Sequence, residues 1–179
     1  MIIRTLLASA ALATLAMPAF AGAEAEALIA STATQISDPA RGHQAFSQSI
    51  DVPTVAHFTL GKYANRISDD ERQRFTAAFD TFLTSSFRKH NDDFANSKVE
   101  VIGSVDRSAT GSIVETRVTP ADGDVMTVRW RVMERSGEWK VVDVEVLGLW
   151  LAIEQRAQIA AIMDKPPGTI DVAIDALNS

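Results

Sequence analysis

Asp143 is the residue whose type and setting most invite chemistry. It interrupts an apolar run, Val141-Val142-Asp143-Val144-Glu145-Val146. An Asp in an apolar strand that faced a pocket would have a raised pKa and could serve as a base. Tyr63 is the second acid–base candidate. His43, His57 and His90 are scattered, with no metal-ligand spacing, and are expected to be surface or capping residues. Asp69-Asp70-Glu71 is an acidic triplet, but the positive end of a helix accounts for it better than a metal does. No Gly-rich phosphate loop, nucleophile elbow or Walker pattern occurs. With no Cys there is no thiolate and no disulfide framework.

The elements that would position Asp143 argue against catalysis. Val125 to Met133 and Trp139 to Val146 alternate and read as two strands around Ser136-Gly137. A two-residue loop would pair Trp130 with Asp143 and Arg131 with Val142, mixing chemistry on both faces. A three-residue loop, Arg135 to Gly137, shifts the register by one. Met126, Val128 and Trp130 then face Val146, Val144 and Val142, while Arg129 falls opposite Asp143 on the other side. That register separates apolar from charged. It predicts an outward cross-strand pair rather than a general base.

The abundant resource is apolar surface. From Ser68 to His90, Phe75, Ala78, Phe79, Phe82, Leu83 and Phe87 recur at steps of three and four, one side of a helix, with Phe94 just beyond. Ser68 and Glu71 have capping-box spacing. Before this helix, Gly22 to Ile36 is Ala-rich and helix-favouring, a short helix follows through Phe46, and another ends at Gly61. After Phe94 the period changes to alternation. Val99, Val101, Gly103 and Val105 share a face of one strand, and Val114, Thr116 and Val118 a face of the next. Leu149, Trp150, Ile153, Ala157 and Ala160 return to helical spacing until Pro166-Pro167-Gly168, and a short helix closes the chain.

Helices first, then four antiparallel strands, then closing helices predict an α+β fold, helices covering one face of a curved sheet. In this half-cone Trp130, Val142, Val144 and Val146 would face the stripe of Phe75, Phe79, Leu83 and Phe87. Leu149, Trp150 and Ile153 would close one end. The space between is either a filled core or a cavity for a large apolar ligand; Met126 and Met163 would suit varied chain shapes.

The N-terminus places the protein. Arg4 precedes Leu6 to Met17, an apolar run too short for the ~20 residues a span needs, and Ala19-x-Ala21 fits a cleavage site. Residues 1–21 are read as a secretory signal and 22–179 as one domain. The chain has a formal charge of −6, and loss of Arg4 with the signal adds one negative unit. An acidic protein is a poor fit to nucleic acid or to an anionic membrane surface.

Three blocks carry a family resemblance. Leu60-Gly61-Lys62-Tyr63 followed by Asp70-Glu71-Arg72-Gln73-Arg74-Phe75 and Phe79, then Gly137-Glu138-Trp139-Lys140-Val141-Val142-Asp143-Val144, then Gly148 with Glu154-Gln155-Arg156-Ala157-Gln158-Ile159, resemble in order the motifs of the toluene-tolerance/MlaC family. Trp150 stands where that family usually has Ser, and Gln155 and Ile159 replace aromatics. The resemblance implies a nuclear-transport-factor-2-like fold and a soluble, monomeric periplasmic phospholipid carrier. Its cargo is phospholipid, with no other cofactor and no metal. Its partners are an outer-membrane lipoprotein–porin complex and an inner-membrane ABC transporter with a hexameric substrate-binding subunit. Phe58 and Tyr63 join the residues above as the expected lipid-contact set. Two other classes stay open: a small-molecule enzyme on the same cone, using Asp143 or Tyr63, and an interaction module with a filled core.

Overall fold

The computed structural model describes residues 21–38, 41–89 and 96–179. The signal expected over residues 1–21 lies, but for Ala21, outside them, as do His90 and Phe94.

Helix α1 (Ala21–Ile36) buries Ala25, Ile29, Thr32, Ala33 and Ile36, the three-and-four spacing of one helical face. Helix α2 (Gly42–Ser49) follows. Helix α3 (Val52–Leu60) is capped by Asp51, whose carboxylate accepts from Thr54 N at 3.1 Å. It stops at Gly61, φ 54° and ψ −123°, a conformation only glycine adopts readily. Helix α4 (Asp69–Lys89) begins with the predicted capping box. Ser68 N donates to Glu71 Oε2 at 2.8 Å, and Glu71 N donates to Ser68 Oγ at 3.2 Å.

The strands are β1 (Lys98–Ser108), β2 (Gly111–Thr119), β3 (Met126–Arg135), β4 (Glu138–Val146) and β5 (Leu149–Trp150), antiparallel in that order. Helices α5 (Leu151–Met163) and α6 (Ile170–Leu177) complete the chain. The α+β expectation holds, with five strands in place of four. Leu149 and Trp150, expected to open the last long helix, instead pair back on Val146 and Glu145. Leu147 and Gly148, at φ 52° and 84°, make the two-residue hairpin that allows this.

The β3–β4 register corrects the predicted one in its mechanism. The loop is the two-residue one: Arg135 pairs with Glu138, with Ser136 and Gly137 both at positive φ. A register shift in β4 then leaves Val142 as an extra residue between Val141, opposite Val132, and Asp143, opposite Arg131. Beyond it Trp130 pairs with Val144, Arg129 with Glu145 and Val128 with Val146. Apolar and charged residues are separated as expected, because the bulge restores the parity that a longer loop would have supplied. The partners differ: Arg129 meets Glu145, and Asp143 meets Arg131. A second shift, at Ile102 in β1, keeps Val99 and Val101 on the inner face but turns Gly103 and Val105 outward, against the expectation of one shared face.

Helix α1 packs on the inner face, where Ala25 and Ile29 meet Val114, Val132 and Val141, with Val101, Trp130 and Val144 at the margin. Helices α3 and α5 pack along β4, and α4 packs on α2, α3 and α6. Asp51 N donates to Val141 O at 2.9 Å, joining the α2–α3 connection to that strand. Phe75 and Phe79, essentially free of solvent, pack among Ala56, Leu60, Ile159 and Ile170. Val142 belongs to this helical core, and the bulge is what turns it there, away from its neighbours Val141 and Val144.

Candidate functional site

The inner face of the sheet ends in side chains that the fold covers only in part. By register, Val99 lies beside Val118, Val101 beside Thr116, Thr116 between Val101 and Val128, and Trp130 between Val114 and Val144. Val99, Val101, Trp130, Val144 and Val146 are half-buried. Opposite them stands a cluster of Ile36, Ala45 and Phe87, on which Phe46 and Trp130 also pack. Phe46 stacks on Phe87 with ring centroids 4.4 Å apart. Trp130 therefore links the α1 core to this aromatic end, where Asn96 N, just before β1, donates to Ser37 O, just after α1, at 3.4 Å. The indole is satisfied: Nε1 donates to Thr116 Oγ1 at 2.9 Å, and Thr116 Oγ1 donates to Val128 O at 3.1 Å. A half-open wall of this kind can bind apolar matter, and the polar Trp130–Thr116 pair in it is already spent on itself.

The expected contact residues fall into separate places. Phe87 and Trp130 come together at this end; Val144 pairs with Trp130 at the margin of the α1 core, Val146 follows it on the inner face by register, and Leu83, partly buried on α4, packs on the helical core. Phe75, Phe79 and Val142 are in the helical core. The space expected between the Phe stripe and Val144 is thus filled by packing, with the two in different clusters. Phe58 lies beneath Arg156, whose guanidinium carbon is 5.0 Å from the ring centroid. The same guanidinium lies over Gly61, where an added Cβ would come within 2.8 Å of Arg156 Nε. Leu149 and Ile153 are exposed instead of closing an end. The larger recess described is an open groove of about 690 Å³ outside this interior, where Ile50 and Val52 meet Arg72 and Thr76 of α4.

Tyr63 and Asp143 are both structural ties. Tyr63 donates its hydroxyl hydrogen to Asp164 Oδ1, which also accepts from Lys62 Nζ at 2.7 Å, fastening the turn after α3 to the end of α5. Those bonds, the Lys62 one foremost, hold the Asp164 carboxyl below its usual range, and the bond to Asp164 raises the Tyr63 phenol. Asp143 is not on an open outer face. Its side chain is 2% exposed because the start of α5 folds over it. Oδ1 accepts from Ala152 N and Val144 N, each at 2.9 Å. Burial pushes this carboxyl up, opposed by those two N–H groups and by Arg131. Trp150 lies on the same side, its ring centroid 4.3 Å from the Arg131 guanidinium carbon and 5.7 Å from that of Arg129. Glu145 is buried beneath its Arg129 pair. All of this is on the face opposite Trp130 and Val144, so neither carboxylate faces the apolar interior.

Among the described residues no group of three or more His, Cys, Asp or Glu is placed to hold a metal, and no helix is long and apolar enough to cross a membrane. Sequence reasoning missed Glu145 as the partner of Arg129, Thr116 as the partner of Trp130, and the exposed Leu147 turn. The turn had a legible signal, a Leu-Gly pair between apolar residues.

A family model, that of the MlaC protein, matches residues 27–179. No curated protein matches the chain. Among solved structures it is similar to a phospholipid-binding protein from Ralstonia solanacearum, determined in complex with a phospholipid, at 17% identity and a TM-score of 0.75, over 87% of this chain and 95% of that one. At that identity the likeness establishes the fold.

Proposed function

The chain belongs to the MlaC family, and from that premise we propose that it is a periplasmic phospholipid carrier. It takes acyl chains into the interior between the inner sheet face and helices α1, α2 and α4, and passes lipid between an outer-membrane complex and an inner-membrane ABC transporter. The observation that carries the reading is the family match across nearly all of residues 22–179. The structural relative that holds a phospholipid supports it. So does the half-buried set of Trp130, Val144 and Val146, with the buried Phe87 packed by Trp130.

The physical need is plain. Each acyl CH₂ exposed to water costs ~0.8 kcal/mol, so lipid does not cross an aqueous space unaided. A wall of valines and aromatics matches the bilayer in apolarity and makes transfer nearly balanced. Acyl chains enter at the Phe46–Phe87–Trp130 end, where residues of α1, α2 and α4 meet the half-buried part of the inner sheet face. No acid or base is required. The enzyme reading would need Asp143 or Tyr63 free to meet substrate, and each is engaged in holding α5.

Lipid extraction and mass spectrometry of the purified protein test the proposal. Co-purifying phospholipid, or uptake of phospholipid from vesicles, is the expected result. Protein that carries none and takes up none overturns it in favour of a filled interaction module.

A further inference from the structure

The β4–β5 hairpin ends in a leucine that both solvation and backbone preference disfavour. Leu147 is 82% exposed. It occupies the first position of a two-residue turn at φ 52°, where Asn, Asp or Gly would sit without strain. Its neighbours do not rescue it. Leu149, Leu151 and Ile153 are exposed on the strand and helix that follow, and Val125 is exposed where β3 begins, at the same end of the sheet. An apolar knob held rigidly in a disfavoured conformation marks a binding surface.

The charges around it select the partner. Val141 to Gln155 carries no Lys or Arg. Asp122 and Asp124, in the β2–β3 connection at that end, and Glu154 on α5 are all exposed. Among the described residues the basic groups near that end are spoken for or set back: Arg129 is paired with Glu145 and Arg131 with Asp143, Lys98 is paired with Glu100 at 2.8 Å, and Arg117 stands on β2. Surfaces that bind anionic bilayers add basic residues to their apolar ones, and this tip adds acidic ones to a chain of net charge −6. A bilayer also has no use for a rigid knob, whereas a socket does.

We propose that the Leu147 turn is a docking knob for a partner protein whose apolar socket is rimmed by Lys or Arg. By its pairing with Val146, Leu149 continues the inner face. Docking at this turn therefore sets the half-open apolar end beside the partner, the orientation in which lipid would be handed across. The inference rests on the carrier reading for its choice of partner to test, the hexameric substrate-binding subunit of the transporter.

Leu147→Asn separates docking from folding. Asn tolerates the left-handed conformation, so this variant melts at or above the wild-type temperature, and it keeps wild-type lipid content. Binding to the purified hexameric subunit should fall at least tenfold, and binding by wild type should weaken as salt rises. Val105→Thr, at another exposed apolar site, on β1, should bind as wild type does. Wild-type affinity in Leu147→Asn overturns the proposal, as does a wild type that does not bind the subunit. Two other results overturn it in favour of a different occupant. One is wild-type binding to protein-free vesicles of phosphatidylethanolamine and phosphatidylglycerol that Leu147→Asn abolishes; the other is a wild-type dimer in solution that Leu147→Asn dissolves. Lipid content is read separately, so failure of the carrier proposal is distinguishable from failure of this one.

Discussion

Arg131 stands directly across the β3–β4 ladder from Asp143, its Nη1 3.7 Å from Oδ2. The pair is loose. Asp143 spends Oδ1 on the N–H groups of Ala152 and Val144, and its buried Oδ2 accepts no hydrogen bond. The carboxylate thus ties the first turn of α5 to the sheet at some electrostatic expense.

That expense predicts a pH dependence. Burial raises the folded carboxyl above its ordinary value of 3.8. Between that value and the raised one the folded chain holds more protons than the unfolded chain. The contribution of Asp143 to stability therefore falls as pH rises through this window. Asp143→Asn keeps an acceptor oxygen for the two N–H groups and should lack this slope in melting temperature against pH, with lipid binding within a few-fold of wild type. Asp143→Ala leaves the N–H groups unpartnered and should cost about 1–3 kcal/mol in denaturant unfolding. A larger loss of lipid binding than of stability in the Asn variant would restore a direct role for this carboxylate.

Gly61 should tolerate no side chain. Gly61→Ala adds backbone strain of about 1–3 kcal/mol and drives a Cβ into the Arg156 guanidinium. In an Arg156→Ala background the steric part should disappear and the strain remain. A double-mutant cycle by chemical denaturation measures the difference; strictly additive losses would show that Arg156 does not press on this turn.

Phe79 and Val144 should respond in opposite ways. Phe79→Ala empties a fully buried site and should cost about 3–5 kcal/mol, with or without lipid. Val144 is half-buried beside Trp130, and on the carrier reading the ring added by Val144→Trp takes the volume an acyl chain would fill. This variant should fold, melt close to delipidated wild type and lose most co-purifying phospholipid. Wild type itself should melt lower after delipidation, because ligand binding favours the native state. Phospholipid per mole and melting temperature, before and after delipidation, decide this. Unfolding of Val144→Trp together with a lipid-free wild type would count against the interior as the binding site.

Export predicts a mature chain beginning at or just beyond Gly22. Intact mass of the periplasmic fraction reads it directly. A periplasmic product that retains Leu6 to Met17 would refute the cleavage reading.

What the sequence determined by itself is local. Three-and-four spacing of Phe75, Ala78, Phe79 and Phe82, the Ser68–Glu71 box and Gly61 place α3 and α4, and alternation places β1 to β4, because helix and strand periods are properties of neighbouring residues. The separation of Trp130 and Val144 from Arg129 and Asp143 was also legible, since parity along a strand survives any even shift. Tertiary structure decided the rest. Bulges at Ile102 and Val142 reset which residues meet, and the break in alternation at Val141-Val142 reads equally well as a bulge or as a longer hairpin loop. The bulge sends Val142 into the helical core, so Phe75 and Phe79 pack there instead of opposite Val144. Burial of Asp143 depends on where α5 starts, and that depends on Leu147 and Gly148 turning the chain back as β5. No pattern within β4 carries that information, because the atoms that cover Asp143 belong to a different element.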